Sequence, residues 1–137
     1  MDARIDPAAA FGIALGDAHV IRNAGGDAQD ALRSILISQH LLGTREIILV
    51  KHIGCGMLNF SNEDARAALR ENGGKVEDGF DFRPFSELRD ALRRDVEFLE
   101  GHEGLARDAP VSGWFMMLVL AKWIGSSERT STLKREG

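Results

Sequence analysis

Residues 46–56 read EIILVKHIGCG, and the reading of this stretch decides the fold. Residues 46–50 form an almost continuous apolar run, rich in β-branched side chains and flanked by turn residues. That pattern predicts a strand buried on both faces, as in a parallel sheet. Just upstream, residues 27–42 carry Ala28, Ala31, Leu32, Ile35, Leu36 and Leu42 at helical spacing. Gly43 stands where a C-terminal glycine cap belongs. Further upstream, residues 19–22 (HVIR) read as a short strand, broken by Asn23-Ala24-Gly25-Gly26. Strand, helix and strand over this length make a right-handed crossover unit. The expected fold class is therefore α/β, a mainly parallel β-sheet flanked by helices.

The rest of the chain extends the same architecture. Asp6 followed by Pro7 and three alanines predicts an N-cap, a first-turn proline and a short helix. Gly16-Asp17 marks a turn. Ser61 and Asp64 have capping-box spacing and open a helix that ends near Gly73-Gly74. A polar loop covers residues 75–84. Another helix is expected over residues 86–100, with Leu88, Ala91, Leu92 and Leu99 on one face, and a further strand over residues 111–117.

The 137 residues suit one domain with one modest core. A net charge of −4, with both signs mixed along the chain, offers no basic stripe for nucleic acid. The single cysteine, Cys55, excludes an internal disulfide and suits a reducing, cytoplasmic setting. The opening residues show no basic leader ahead of an apolar stretch, so no secretory signal is expected. The longest apolar run, residues 115–121, is far short of the roughly 20 residues that span a bilayer.

Functional residues in open α/β sheets gather at the carboxyl ends of parallel strands. His52 and Cys55 lie just past such an end, with Gly54 and Gly56 flanking the cysteine. An imidazole and a thiolate together suit zinc, which takes four ligands, or three and a water. On spacing alone, a buried cysteine and a histidine bonded to backbone suit the pattern as well. Asp2 and Arg4, two apart in an extended segment, point to one side, where arginine can hold a carboxylate through a bidentate pair. On spacing alone they read first as a surface ion pair, worth about 0–1 kcal/mol.

Four segments change the weight of these pairs: MDARIDP (1–7), GDAHVIRNAGG (16–26), LRSILISQHLLGTREI (32–47) and HIGCGM (52–57). Taken in this order, over residues 1–113, they closely resemble the β-class carbonic anhydrases, particularly the small bacterial and fungal members. That family binds zinc through a Cys-x-Asp-x-Arg motif and a downstream His-x-x-Cys motif. The resemblance implies that His52 and Cys55 are metal ligands. It implies that Asp2 orients the metal's water and that Arg4 holds Asp2. It also implies zinc as cofactor, carbon dioxide and bicarbonate as substrates, and a homodimer or higher homo-oligomer. Backbone N–H groups of Gly25 and Gly26 are expected to approach the site. Carbonyl sulfide or carbon disulfide hydrolysis on the same fold is an alternative activity, and a non-catalytic truncated remnant is another.

The first cysteine of the family motif would precede Met1, and the given sequence does not contain it. Asp2 is then the available substitute ligand, and weak zinc binding with impaired activity is expected. The strand carrying that cysteine would be missing too, leaving sheet edge and apolar surface uncovered. The chain thus divides into a β-carbonic anhydrase-like region, residues 1–115, and a divergent tail, residues 116–137. The tail departs from the family's usual ending. Restoring one thymine after the Phe115 codon, with degenerate codons chosen to suit, gives YDVGTGKMD, which fits that ending. A one-base frameshift is therefore expected there. His19 and His40 are expected to be structural, His102 solvated, and Trp114 and Trp123 packing or interface residues.

Overall fold

The computed structural model describes residues 1–118 and 133–135. Helix α1 (Pro7–Phe11) starts as expected, with the Asp6 carboxylate accepting from the N–H groups of Ala8 and Ala9. Helix α2 (Ala28–His40) is capped by Asp27, whose side chain accepts from the Asp30 N–H. Strand β1 (Ile47–His52) follows, then α3 (Asn62–Glu71) and α4 (Leu88–Glu100), strand β2 (Val111–Met116) and strand β3 (Leu133–Arg135). Short 3-10 turns lie at Ala24–Gly26 and Gly56–Leu58. The capping box of α3 forms in full between Ser61 and Asp64. The backbone and hydroxyl donors of Ser61 hold the Asp64 carboxyl below its ordinary value.

Strands β1 and β2 run parallel, Ile47 opposite Val111 through His52 opposite Met116. β3 pairs antiparallel with β2 at the far side, giving the order β1-β2-β3. The α/β class stands, but the crossover differs from expectation. Residues 19–22 form no strand, and the parallel connection runs from β1 through α3 and α4 to β2. Those four residues pair with no strand among the described residues, so the β-branched Val20 and Ile21 have no ladder to join.

The core lies between the helices and one face of the sheet. Ala28, Ile35 and Leu99 are its buried centre, with Ala31, Ile47, Phe98, Leu105 and Val111 packed around them. Ala91, Leu92, Asp95 and Leu99 form one buried stripe on α4. That helix comes so close to β2 that a Cβ at Gly113 would lie 3.0 Å from both Leu92 and Val96. The expectation that β1 is buried on both faces fails: Ile48 is 60% exposed, while Ile47 and Lys51 on the alternate face are covered. Leu42 is exposed as well, beyond the end of α2. His19 and His40 are structural as expected, bonded to Ser38 Oγ (2.7 Å) and the Gly104 carbonyl (2.8 Å). His102 is not merely solvated: its Nδ1 accepts from the Gly104 N–H at 3.0 Å and its ring stands edge-on to Phe98. Trp114 is half-buried and donates to Ser112 Oγ. Trp123 and most of the tail assigned to a frameshift lie outside the described residues.

Candidate metal centre

The pairing of β1 with β2 continues one residue past His52, where the Ile53 N–H donates to the Met116 carbonyl. The chain then turns through Gly54, at φ 72°, and delivers Cys55 to the start of a 3-10 turn. This brings both residues of the His-x-x-Cys pair to the carboxyl end of β1. Cys55 is buried, and His52 is half-buried.

The His52 ring is oriented by its own backbone neighbourhood. Nδ1 lies 3.1 Å from the Ile53 carbonyl, so Nδ1 carries the proton and donates. Nε2, the ring nitrogen turned away from that carbonyl, faces Asp2 Oδ2 at 3.5 Å. A proton on Nε2, or a cation between the two atoms, would suit this approach to a carboxylate oxygen.

Asp2 is held from three sides. Arg4 donates from Nε and Nη2 to the two carboxylate oxygens, at 2.9 and 2.6 Å, and its backbone N–H adds a third bond at 2.9 Å. These bonds, with the Arg4 side chain first, keep the Asp2 carboxyl well below the usual carboxylate range. Asp2 in turn pushes the Arg4 guanidinium above its ordinary value, and Cys55 is close enough to contribute to the same shift. The Asp2 carbonyl accepts from Arg22 Nη2 at 2.6 Å. All four residues singled out from the sequence therefore converge on one place.

The donor set suits zinc in kind, since an imidazole lone pair, a thiol and a carboxylate are all zinc ligands. It is incomplete in number: among the described residues, no three or more His, Cys, Asp or Glu side chains are arranged to hold a metal ion. Asp2 remains turned to Arg4. The expected role of the Gly26 N–H also changes. The Gly26 N–H is used inside its own turn, toward the Asn23 carbonyl at 3.5 Å. Gly26 sits where a Cβ would lie 2.8 Å from the Val50 carbonyl, so its absent side chain serves to seat the turn on β1.

Two residues escaped the sequence reading. Lys51 Nζ donates to Asp95 Oδ2 (2.7 Å) and to the Gly25 and Gly26 carbonyls (2.8 and 3.0 Å), buried beneath the site. The available signal was a lone lysine on the same alternation as Ile47 and Leu49.

A family model described as carbonic anhydrase matches residues 1–95. The chain belongs to the β-carbonic anhydrase family. Among curated members, β-carbonic anhydrase 1 of Mycobacterium tuberculosis is 53% identical over 75 residues, 54% of this chain and 46% of that protein. The chain thus spans about half the length of such relatives. A carbon disulfide hydrolase of Acidithiobacillus thiooxidans is 29% identical over 134 residues, covering 83% of this chain and 67% of the relative. Among solved structures, a carbonic anhydrase from Glaciozyma antarctica superposes with TM-score 0.79 at 40% identity, covering 85% of this chain and 72% of that one. In this β-carbonic anhydrase chain, no helix of the described residues is long and apolar enough to cross a membrane.

Proposed function

We propose that this chain carries the His52, Cys55, Asp2 and Arg4 part of a zinc centre for the reversible hydration of carbon dioxide to bicarbonate. The observation that carries this reading is His52 Nε2 facing the Arg4-held carboxylate of Asp2 at 3.5 Å. His52 Nε2 and the Cys55 thiolate would hold the metal. When bound, zinc supplies a Lewis acid that brings the deprotonation of water near neutral pH, at a pKa of about 7. Asp2, kept ionised by Arg4, is an acceptor only, so it fixes the direction of a donor hydrogen placed before it. Arg4 holds that carboxylate in one orientation and would keep it off the metal. The Ile53 carbonyl fixes the tautomer of His52.

With only two ligands free of other engagements, these 137 residues by themselves hold zinc weakly and hydrate carbon dioxide slowly. A homo-oligomer working in the cytoplasm belongs to the same reading, and the exposed Val20, Ile21, Ile48 and Ile53 support an assembly. The relatedness to carbon disulfide hydrolases supports a second substrate class, so both carbon dioxide and carbon disulfide belong in the assay. Zinc titration against a chromophoric chelator, with stopped-flow hydration assays, tests the reading. Zinc uptake is expected to vanish in His52→Ala and Cys55→Ser and to yield to mild chelation in the parent. Uptake that survives both substitutions removes these residues from the metal site. Near-stoichiometric zinc that resists chelation refutes weak binding.

A further inference from the structure

We propose that Lys51, paired with Asp95, is a positioning residue that sets Asp2 opposite His52 through the turn at residues 23–27. The Lys51 side chain is 2% exposed, and its three ammonium hydrogens meet three acceptors: Asp95 Oδ2, Gly25 O and Gly26 O. A buried ion pair gives little net stability over apolar residues of similar volume. An apolar side chain could fill the same space against α4. It could not tie two consecutive carbonyls of a neighbouring turn to the residue next to His52.

The connections close into a ring. Lys51 grips the turn from below, and Gly26 lets it settle on the Val50 carbonyl. Asn23 locks the turn to the start of α2, donating to the Asp27 carbonyl and accepting the Asp27 N–H, both at 2.8 Å. On the far side, Arg22 donates to the Asp2 carbonyl at 2.6 Å, and the Asn23 carbonyl accepts from the Met1 nitrogen at 2.7 Å. The Asp2 carboxylate then returns to His52, one residue from Lys51. A shift of the turn relative to β1 would move Asp2 relative to His52. Lys51 itself touches neither of them in this arrangement. Its significance for a metal rests on the function proposed above, whereas the mechanical link stands without it.

The test uses the double variant Lys51→Met/Asp95→Leu, which removes both charges together and is expected to fold. Asp95→Asn serves as the conservative control, because its amide oxygen can still accept from Lys51. Hydrogen exchange followed by NMR reads three places: the Asp27 amide in the turn, the Arg4 and Ile5 amides bonded to Asp2, and the amides of α4. The double variant is expected to exchange faster at Asp27, Arg4 and Ile5 with α4 still protected, and Asp95→Asn to retain protection at all three. Zinc affinity, measured by chelator competition, is expected to fall about tenfold or more, as for other groups that orient metal ligands. Unchanged exchange at Arg4 and Ile5 in a folded double variant overturns the proposal, whatever the turn does. A loss of protection that includes α4 also overturns it, assigning the pair to general stability. If the parent takes up no zinc, the proposed function fails by itself and the exchange pattern still decides this inference.

Discussion

Two ion pairs meet at the carboxyl end of β1, and they are built on opposite principles. Asp2 and Arg4 are two residues apart, at the surface, with side chains 20% and 48% exposed. Lys51 and Asp95 are 44 residues apart and join β1 to α4 with almost no access to water. The first pair is local and screened by solvent, so it orients a carboxylate without holding the fold together. The second is long-range and desolvated, so each charge depends on the other. Charge near a site can therefore serve direction or architecture, and burial separates the two.

The sharpest way to break this contrast is to strand one member of the buried pair. Lys51→Met leaves the Asp95 carboxylate facing the core without its cation and frees the Gly25 and Gly26 carbonyls. A cost of about 3–5 kcal/mol is expected, a large share of the stability of a small domain. Urea denaturation measures it. A loss no larger than that of a typical surface substitution would mean that the Lys51–Asp95 contact is not closed in solution.

A smaller effect is expected at the turn that joins the two pairs. Gly26 has φ 59°, and an added Cβ would meet the Val50 backbone carbonyl at 2.8 Å, a neighbour that cannot swing aside. Gly26→Ala should cost on the order of 1–3 kcal/mol from left-handed backbone strain, plus displacement of the turn. The urea midpoint gives the stability loss. NMR shifts at Arg4 and Ile5 report whether Asp2 moves with the turn. A full loss of stability with no change at Arg4 and Ile5 would separate the turn from the exposed pair.

The exposed pair was readable in the sequence, and the buried pair was not, for a physical reason. His52 with Cys55 and Asp2 with Arg4 stand in two short motifs, joined into one site by the resemblance to the β-class carbonic anhydrases, and the helices of residues 28–40, 62–71 and 88–100 follow from their apolar periodicity. Lys51 and Asp95 share no local pattern. Their contact exists only once α4 packs across β1, and no spacing rule reaches over 44 residues. Residues 19–22 fail in the converse way. The β-branched Val20-Ile21 pair is strand-like, but a strand needs a neighbour, and the described residues provide none. Both errors arise at tertiary contact, where local pattern carries no information.

The smallest effect on stability is expected at Arg4. Arg4→Gln should leave the urea midpoint near that of the parent, because the pair it dissolves is exposed and local. The consequence should appear instead in the titration of Asp2. Its folded carboxyl is held well below the ordinary aspartate value of about 3.9, chiefly by the Arg4 side chain and next by the Arg4 backbone N–H. A depressed folded value means that the pair's contribution is complete above the unfolded value, near pH 4. It is lost as pH falls through the lower folded value. Removing the guanidinium removes the larger cause and leaves the backbone donor in place. Asp2 should therefore titrate higher than in the parent, yet still below an unperturbed aspartate, as read from its side-chain carbonyl carbon by NMR. A titration unmoved by Arg4→Gln would place the orienting power in the backbone turn alone, and the exposed pair would then share the architectural character of the buried one.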